Sequence, residues 1–514
     1  MTAELLNEPE LEFGGGFRHV DIRFGIMSYG PFDVTSEMAP KRIRIGIVGT
    51  EKTVERFLSW LEQCKSGLVA KTGNKPNLFP RFPGLGEDVG LRTTIVTGKE
   101  LIRTIHRKSI AEVLKIKDHN EAVTEAVDLF FRDLDYVTQS KNVTPDVLVC
   151  APPIELFQYF EKPEEDDEDA ESEEDAASEG RLDFHDLLKA KSLSLPMPIQ
   201  FVRPSTYDPS AREIRKKGTM RQLQDPATRA WNFYTALYYK AGGTPWRLLR
   251  DPSDYASFFV GISFYRSLDQ SSLSTSVAQV FNERGQGVIL RGGPAEYVKE
   301  DRQPHLPRED AYRLLKKALE AYRDEHETLP ARVVVHKSSI FTETEHDGLQ
   351  KAIDEVHVSR RDFVTLSHSF TRFFRVGAYP PLRGTFINLD DERSLLYTKA
   401  SVEFFRLYPG MYVPKTLLIR SQGTDQTSKQ LATEILALTK LNWNNTQFDS
   451  FFPITLKAAR QVGDILRHLS GEPPELTRYA YYMKNFPMIW LIISPECWIR
   501  FAKRSRTTLR KSRR

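Results

Sequence analysis

Lys41 to Gly49 (KRIRIGIVG) alternates charged and apolar side chains before becoming continuously apolar, the pattern of a strand entering a buried sheet. The period then changes. Between Thr50 and Ser66 the apolar positions Val54, Phe57, Leu58 and Leu61 recur at three and four, which predicts an amphipathic helix. A second unit of the same kind follows, with a strand at Asp146 to Cys150 (DVLVC) running into a helix at Ile154 to Phe160. Repeated strand-then-helix order predicts a parallel sheet covered by helices. After Trp246-Arg247-Leu248 the apolar runs lengthen, at Phe258 to Phe264, Gly287 to Arg291 and Arg332 to His336. Between them Arg308 to Glu325 reads as a helix, because Ala311, Leu314, Leu315, Ala318 and Leu319 share one face. The fold class is therefore α/β, with a new domain starting near residue 251 and no internal repeat apparent.

Composition sharpens this outline. With 514 residues, 40% hydrophobic and 11% aromatic, the chain can hold two to four domains with substantial cores. Its net charge of +3 conceals an asymmetry, since residues 161 to 180 carry twelve acidic side chains and one lysine. Outside that block 71 basic residues face 57 acidic ones, a surplus suited to a polyphosphate partner if gathered in a channel. The acidic block reads as a solvated insertion; its sharper reading is an internal polyanion competing for a basic groove. Cys64, Cys150 and Cys497 are too scattered for a disulfide framework or a zinc site, which fits a reducing cytoplasm. The first residues (MTAELLNEPELEF) have no secretory pattern. The longest apolar stretch, Pro487 to Ile493, is far shorter than the roughly 20 residues of a membrane-spanning helix. A cytoplasmic protein with no membrane partner is the expectation. The segment from Ile499 to Arg514 holds eight basic residues in sixteen and reads as a solubilising tail. Gly46-Ile47-Val48-Gly49-Thr50 lacks the spacing of a dinucleotide or triphosphate loop, and no GxSxG or HExxH occurs.

Several stretches resemble short prokaryotic Argonautes, which keep MID and PIWI domains and lack PAZ. They are Asp225 to Leu248 (DPATRAWNFYTALYYKAGGTPWRL), Phe373 to Thr385 (FFRVGAYPPLRGT), Glu434 to Gln447 (EILALTKLNWNNTQ) and Pro453 to Gly463 (PITLKAARQVG), in the order of the family. Leu11-Glu12-Phe13 and Met27-Ser28-Tyr29-Gly30-Pro31 resemble the start of these short forms. The resemblance implies a Rossmann-like MID domain followed by an RNase H-like PIWI domain. It divides the chain into an N-terminal extension (1–40), MID (41–250, with the acidic insertion 161–180), PIWI (251–483) and a C-terminal basic tail (484–514).

The resemblance also assigns residues. His185 and Lys189, four apart on a helix (FHDLLKAKSL), put a ring and an ammonium on one face. With Gln200 and Lys240 they match the pocket that anchors a guide strand by its 5′-phosphate, where a ring can stack on the first base. Some relatives hold a divalent ion there through a glutamine one turn before the lysine; Ala236 stands at that position, which puts Mg2+ at the phosphate in question. In PIWI, Ser263 and Ser338 align with two strand-end aspartates, and Arg460 with the last catalytic position. Two-metal cleavage needs anionic oxygens around cations about 3.5–4 Å apart. Two serines and an arginine cannot supply them, and Glu296 or a neighbour would be the sole carboxylate. The tetrad thus reads as degenerate, with no metal site and no intrinsic enzymatic activity. Arg375, Arg383, Lys440 and Asn444 lie in motifs that line the guide and target channel. The implied function is binding of a guide RNA and recognition of complementary single-stranded DNA. The implied partner is an APAZ-containing effector, a sirtuin-like NADase ahead of TIR or a nuclease, switched on against plasmids and phage; oligomeric state after target binding is left open. Two alternatives stand beside this: an active RNase H-like endonuclease with carboxylates elsewhere, and an interaction scaffold that has lost guide binding.

Overall fold

A computed structural model describes residues 2–72, 75–140, 143–160, 180–211, 224–249, 256–281, 287–290, 292–298, 301–376, 380–408, 410 and 413–469. The acidic stretch through residue 179 and the basic tail lie outside them. The chain opens with β1 (Thr2–Leu5), whose partner strand comes late in the sequence. A five-stranded sheet follows, made of β2 (Arg42–Thr50), β3 (Thr94–Val96), β4 (Ile102–Ile105), β5 (Val147–Ala151) and β6 (Ile199–Phe201). All its pairings are parallel, with β2 against β3, β4 and β5, and β5 against β6. Both faces are covered, which is why β2 and β5 become continuously apolar. Ile45, Ile47, Val147 and Val149 point to one core; Val48, Leu148 and Cys150 point to the other.

Helices α1 (Glu51–Lys65) and α2 (His119–Thr138) lie on these two faces. α1 starts where Thr50 and Thr53 form a reciprocal cap, and it buries Val54, Phe57, Trp60 and Leu61. Two further helices complete the unit, α3 (Phe184–Ser192), capped by Asp183, and α4 (Pro226–Lys240), capped by Asp225.

The second half builds a nine-stranded mixed sheet from β7 (Ser257–Arg266), β8 (Leu273–Phe281), β9 (Gly287–Leu290), β10 (Arg332–Lys337), β11 (Arg360–Ser369), β12 (Thr385–Asn388), β13 (Arg393–Leu396) and β14 (Thr416–Gln422), together with β1. The order is β1–β12–β13–β14–β11–β10–β7–β8–β9. The central trio β7, β10 and β11 is parallel, and its neighbours are antiparallel. α5 (Arg308–His326) and α6 (Glu343–Glu355) close over Phe258, Val260, Ile262, Val333, Val335 and Phe363. The opposite face receives α7 (Ser428–Leu438) and α8 (Ile454–Leu466). α8 sits unusually close: a Cβ on Gly261 would lie 2.3 Å from the carbonyl oxygen of Thr455.

The two halves share one apolar core. Tyr239 packs edge-on against Trp443 at 4.7 Å, the Trp246 indole donates to the carbonyl of Lys440 at 3.0 Å, and Phe259, Val334 and Ile454 join the cluster that contains α1 and α4. Residues before 41, expected as an extension, are woven into both halves: β1 pairs with β12, and Leu11–Glu12 pairs with Arg247–Leu248. Among the described residues no helix is long and apolar enough to cross a membrane.

Candidate functional site

Three elements of the first half converge on a cationic pocket. Asp183 caps α3 by accepting from the Asp186 N–H, fixing the helix so that His185 and Lys189 project from one side. The His185 ring meets Phe201 of β6 edge-on at 4.8 Å, and its Nδ1 lies 2.9 Å from Asp186 Oδ1. From β6, Gln200 donates its amide nitrogen to the Phe201 carbonyl and accepts a 2.7 Å hydrogen bond from Lys240 Nζ. Lys240 ends α4, where Gly242 takes the left-handed conformation (φ 91°) that turns the chain away.

The charges of these groups act on one another. Burial, and then the charge of Lys189, push the Lys240 ammonium down to about 7. Lys189 is lowered too, chiefly by burial, with Asp186 and Asp183 opposing and Arg203 reinforcing. His185 is lowered by burial and by Lys189. Lys240 is buried and Lys189 half-buried, and like charge works against both, from Lys189 on the first and Arg203 on the second, the arrangement that an entering anion relieves. The structure brings together all four residues singled out in this half. It also adds Arg203, whose guanidinium lies over Phe157 at 5.1 Å and whose charge reaches Lys189. The alternation Gln200-Phe201-Val202-Arg203 was the only signal in the sequence for that residue.

Mg2+ does not fit the position expected from the family, because Ala236 is buried and carries no donor. Among the described residues the one gathering of three donors is Asp183, His185 and Asp186, with ligand atoms within 4.8 Å of one another. There Asp183 is engaged as the helix cap and Asp186 holds the His185 ring. Beside them, between α3 and α8, a cavity of about 180 Å³ mixes Asp183, Asp186 and Asp464 with Arg266, Arg467 and His468.

In the second half, parallel pairing sets Ile262 against Lys337, and the Ser338 N–H donates to the Ile262 carbonyl at 3.2 Å. Ser263 and Ser338 therefore lie side by side on adjacent central strands, Ser338 just past the end of β10 and Ser263 three residues before the end of β7. Ser263 is buried and Ser338 half-buried. Among the described residues no trio of His, Cys, Asp or Glu donors gathers there. His336 turns to the α8 face, 2.8 Å from Thr455 Oγ1, and burial with the charge of Arg332 holds it down at about 3, hence neutral. Lys337 turns the other way and pairs with Glu345, which also accepts from the Leu306 and Thr342 N–H groups. Glu296 is exposed on a separate hairpin strand, and the Arg460 guanidinium lies 4.1 Å from the Phe452 ring centroid.

The four expected channel residues divide. Arg383 and Lys440 are not on a surface. Arg383 directs Nε to Glu8 at 3.1 Å and Nη2 to Thr439 Oγ1 at 2.8 Å, with Nη2 also donating to the Leu436 carbonyl and Nη1 to that of Thr398. Lys440 donates to Glu8 at 2.9 Å and to the carbonyls of Pro9 and Val20, each at 2.7 Å. Their donors are consumed inside the protein, so the channel role expected of them is replaced by anchorage of the N-terminal segment. Burial acts to raise the Glu8 carboxyl, but Arg383 and Lys440 prevail and hold it below the usual range. Arg375 and Asn444 remain half-buried.

No protein-family model and no curated protein matches the chain. Solved structures do. The chain is similar to Clostridium butyricum Argonaute bound to a guide DNA (5′ deoxycytidine) and a 19-mer target DNA, with 13% identity and a TM-score of 0.58 over 91% of this chain and 53% of that one. It is similar to A. aeolicus Argonaute, with 13% identity and a TM-score of 0.56 over 93% of this chain and 55% of the other. The same protein with externally bound siRNA gives 14% identity and a TM-score of 0.56, covering 93% of this chain and 56% of that one. The chain spans about half the length of these relatives. Identities this low establish the fold, and the fold is that of Argonaute: a Rossmann-like α/β domain followed by an RNase H-like one.

Proposed function

We propose that this chain, built on the Argonaute fold, is a guide-directed nucleic-acid-binding protein of the short MID-PIWI type without cleavage activity of its own. It grips a 5′-phosphorylated guide, RNA by the family resemblance, and presents it to complementary single-stranded DNA. The observation that carries the reading is the convergence of His185, Lys189, Gln200 and Lys240, with Lys240 buried against Gln200 and within reach of the charge of Lys189. A terminal phosphate supplies the missing negative charge. Charge-assisted bonds from both ammonium groups favour it over a 5′-hydroxyl. Absence of a carboxylate at Ser263 and Ser338 supports the lack of cutting, because hydrolytic cations need anionic ligands. Neighbours of the same fold include one seen with guide and target DNA, which supports the pairing of two strands.

A binder without chemistry acts through a partner. The ordered motifs shared with short Argonautes support an APAZ-containing effector, with a sirtuin-like NADase favoured over TIR, activated by target recognition to deplete NAD in defence against plasmids and phage. The test is direct. Purified protein is titrated with labelled oligonucleotides carrying either a 5′-phosphate or a 5′-hydroxyl. Tighter binding of the phosphorylated form, lost in Lys189→Ala/Lys240→Ala, is the expected result. Equal binding of both by the parent overturns the reading.

A further inference from the structure

Among the described residues the two most exposed aromatic rings lie together on one loop. Phe370 is 97% exposed, Phe374 78% and Val376 90%, whereas Tyr136, the next most exposed ring among the described residues, reaches 59%. This exposure is built in. The loop is held from beneath at alternate positions, where the Thr371 carbonyl accepts from Thr416 Oγ1 at 3.0 Å and the Phe373 N–H donates to the Tyr397 hydroxyl at 2.9 Å. Phe373 itself turns inward, its ring edge-on to Tyr397 at 6.5 Å. The two pins leave Phe370 and Phe374 directed outward. Large apolar groups kept in water by a fixed backbone mark an interaction site.

Location and charge specify the occupant. β11 runs parallel to β10 with Thr365 opposite Lys337, and continues through Ser369 before the loop begins. Its end therefore projects beyond the level at which Ser263 and Ser338 lie. Arg372 is exposed between the two rings and Arg375 follows directly after them, so aromatic and cationic groups interleave. Aromatic and arginine side chains are enriched at protein interfaces as well, so it is their order along the loop that selects the occupant. Alternating rings and guanidinium groups match the alternation of base and phosphate along a single strand.

From this geometry we infer that the loop 370–376 is a stacking platform for single-stranded nucleic acid at this end of the sheet, with Phe370 and Phe374 taking bases and Arg372 and Arg375 the intervening phosphates. The inference rests on the proposed function and adds to it a second contact region, distinct from the 5′-phosphate pocket. Unpaired bases stack there whatever their identity, since every base offers a π-face.

The experiment uses the full chain loaded with a 5′-phosphorylated oligonucleotide. The probe is a complementary strand with an unpaired overhang that carries 2-aminopurine at successive positions. Both rings are solvated, so Phe370→Ala and Phe374→Ala fold as the parent does. Each is expected to weaken single-strand binding roughly tenfold and to restore 2-aminopurine fluorescence at one or two adjacent positions. Phe374→Trp retains the quenching. Unchanged affinity and fluorescence in the double alanine variant, with 5′-phosphate-dependent loading intact, overturns the inference alone. So does loss of a self-associated form or a copurifying protein with strand binding preserved, because the patch is then a protein interface. No phosphate-dependent loading in the parent overturns the proposed function and this inference with it.

Discussion

Lys240 carries the most specific electrostatic consequence of the pocket. Its folded value of about 7 stands well below the ordinary lysine value of 10.5, from burial first and Lys189 second. Phosphate binding demands the charged form, so above pH 7 the complex takes up a proton that the free pocket lacks. Affinity for a 5′-phosphate then falls as pH rises, approaching tenfold per unit at about pH 8–9. Below about pH 6 the phosphate gains its own proton and binding weakens again. Anisotropy titrations at constant ionic strength should give a maximum near pH 6–7, with 5′-hydroxyl strands lacking that profile; a flat curve for both counts against the pocket. Stability responds with the opposite sign. A lysine depressed on folding costs stability at every pH below its folded value, and the cost fades between pH 7 and 10.5. Lys240→Met should therefore raise the stability of the unliganded protein at pH 7 by about 1–3 kcal/mol, while 5′-phosphate selectivity falls about a hundredfold with the charge-assisted bond. Chemical denaturation and binding, measured on the same variant, must move in opposite directions.

Glu8 decides how the N-terminal segment is held. Its carboxylate lies between Arg383 and Lys440, which are 375 and 432 residues away in sequence and almost wholly buried. Glu8→Gln leaves two interior cations without a counterion, a loss of about 3–5 kcal/mol; urea denaturation should show it, and Lys440→Met in the same chain should recover part. The second expectation at this scale concerns β7, where Gly261 lets α8 approach. An alanine Cβ would lie 2.3 Å from the Thr455 backbone oxygen, and no flexible group is there to give way. Gly261→Ala should destabilise by about 1–3 kcal/mol. These elements also mark what the sequence disclosed. The strands and helices were legible because both faces of β2, β5 and β10 are covered and α5 repeats at three and four. That His185 and Lys189 share one helical face was legible because one turn separates them; the pocket role assigned to them came from the family resemblance. Arg383 and Lys440 were misplaced because a sequence displays a cation without displaying the carboxylate that folding brings to it. Gly261 and the pins beneath Phe370 carried no local signal at all, since each depends on an atom supplied from a distant element.

At the scale of the whole molecule, the shared core through Trp443, Tyr239 and Phe259 makes pocket and serine pair parts of one body. A guide held at its phosphate would thereby keep a fixed relation to Ser263 and Ser338. That relation allows the missing chemistry to be examined by adding charge. Ser263→Asp/Ser338→Asp places two carboxylates side by side on neighbouring strands, and their mutual repulsion raises one of them unless a cation intervenes. A divalent ion that binds only the folded state stabilises it by about 2.7 kcal/mol at a hundred times its dissociation constant. The double variant should lose melting temperature in chelator and regain several degrees with millimolar Mn2+, whereas the parent stays indifferent. Guide-loaded parent should leave matching DNA intact in Mg2+ or Mn2+. If the parent itself responds to Mn2+ in both assays, carboxylates from another part of the chain are serving this place, and the molecule cuts what it binds. If the double variant shows no dependence on Mn2+, the two serines do not face a common site, and the alignment of this pair with a metal-binding one fails on geometry instead of charge.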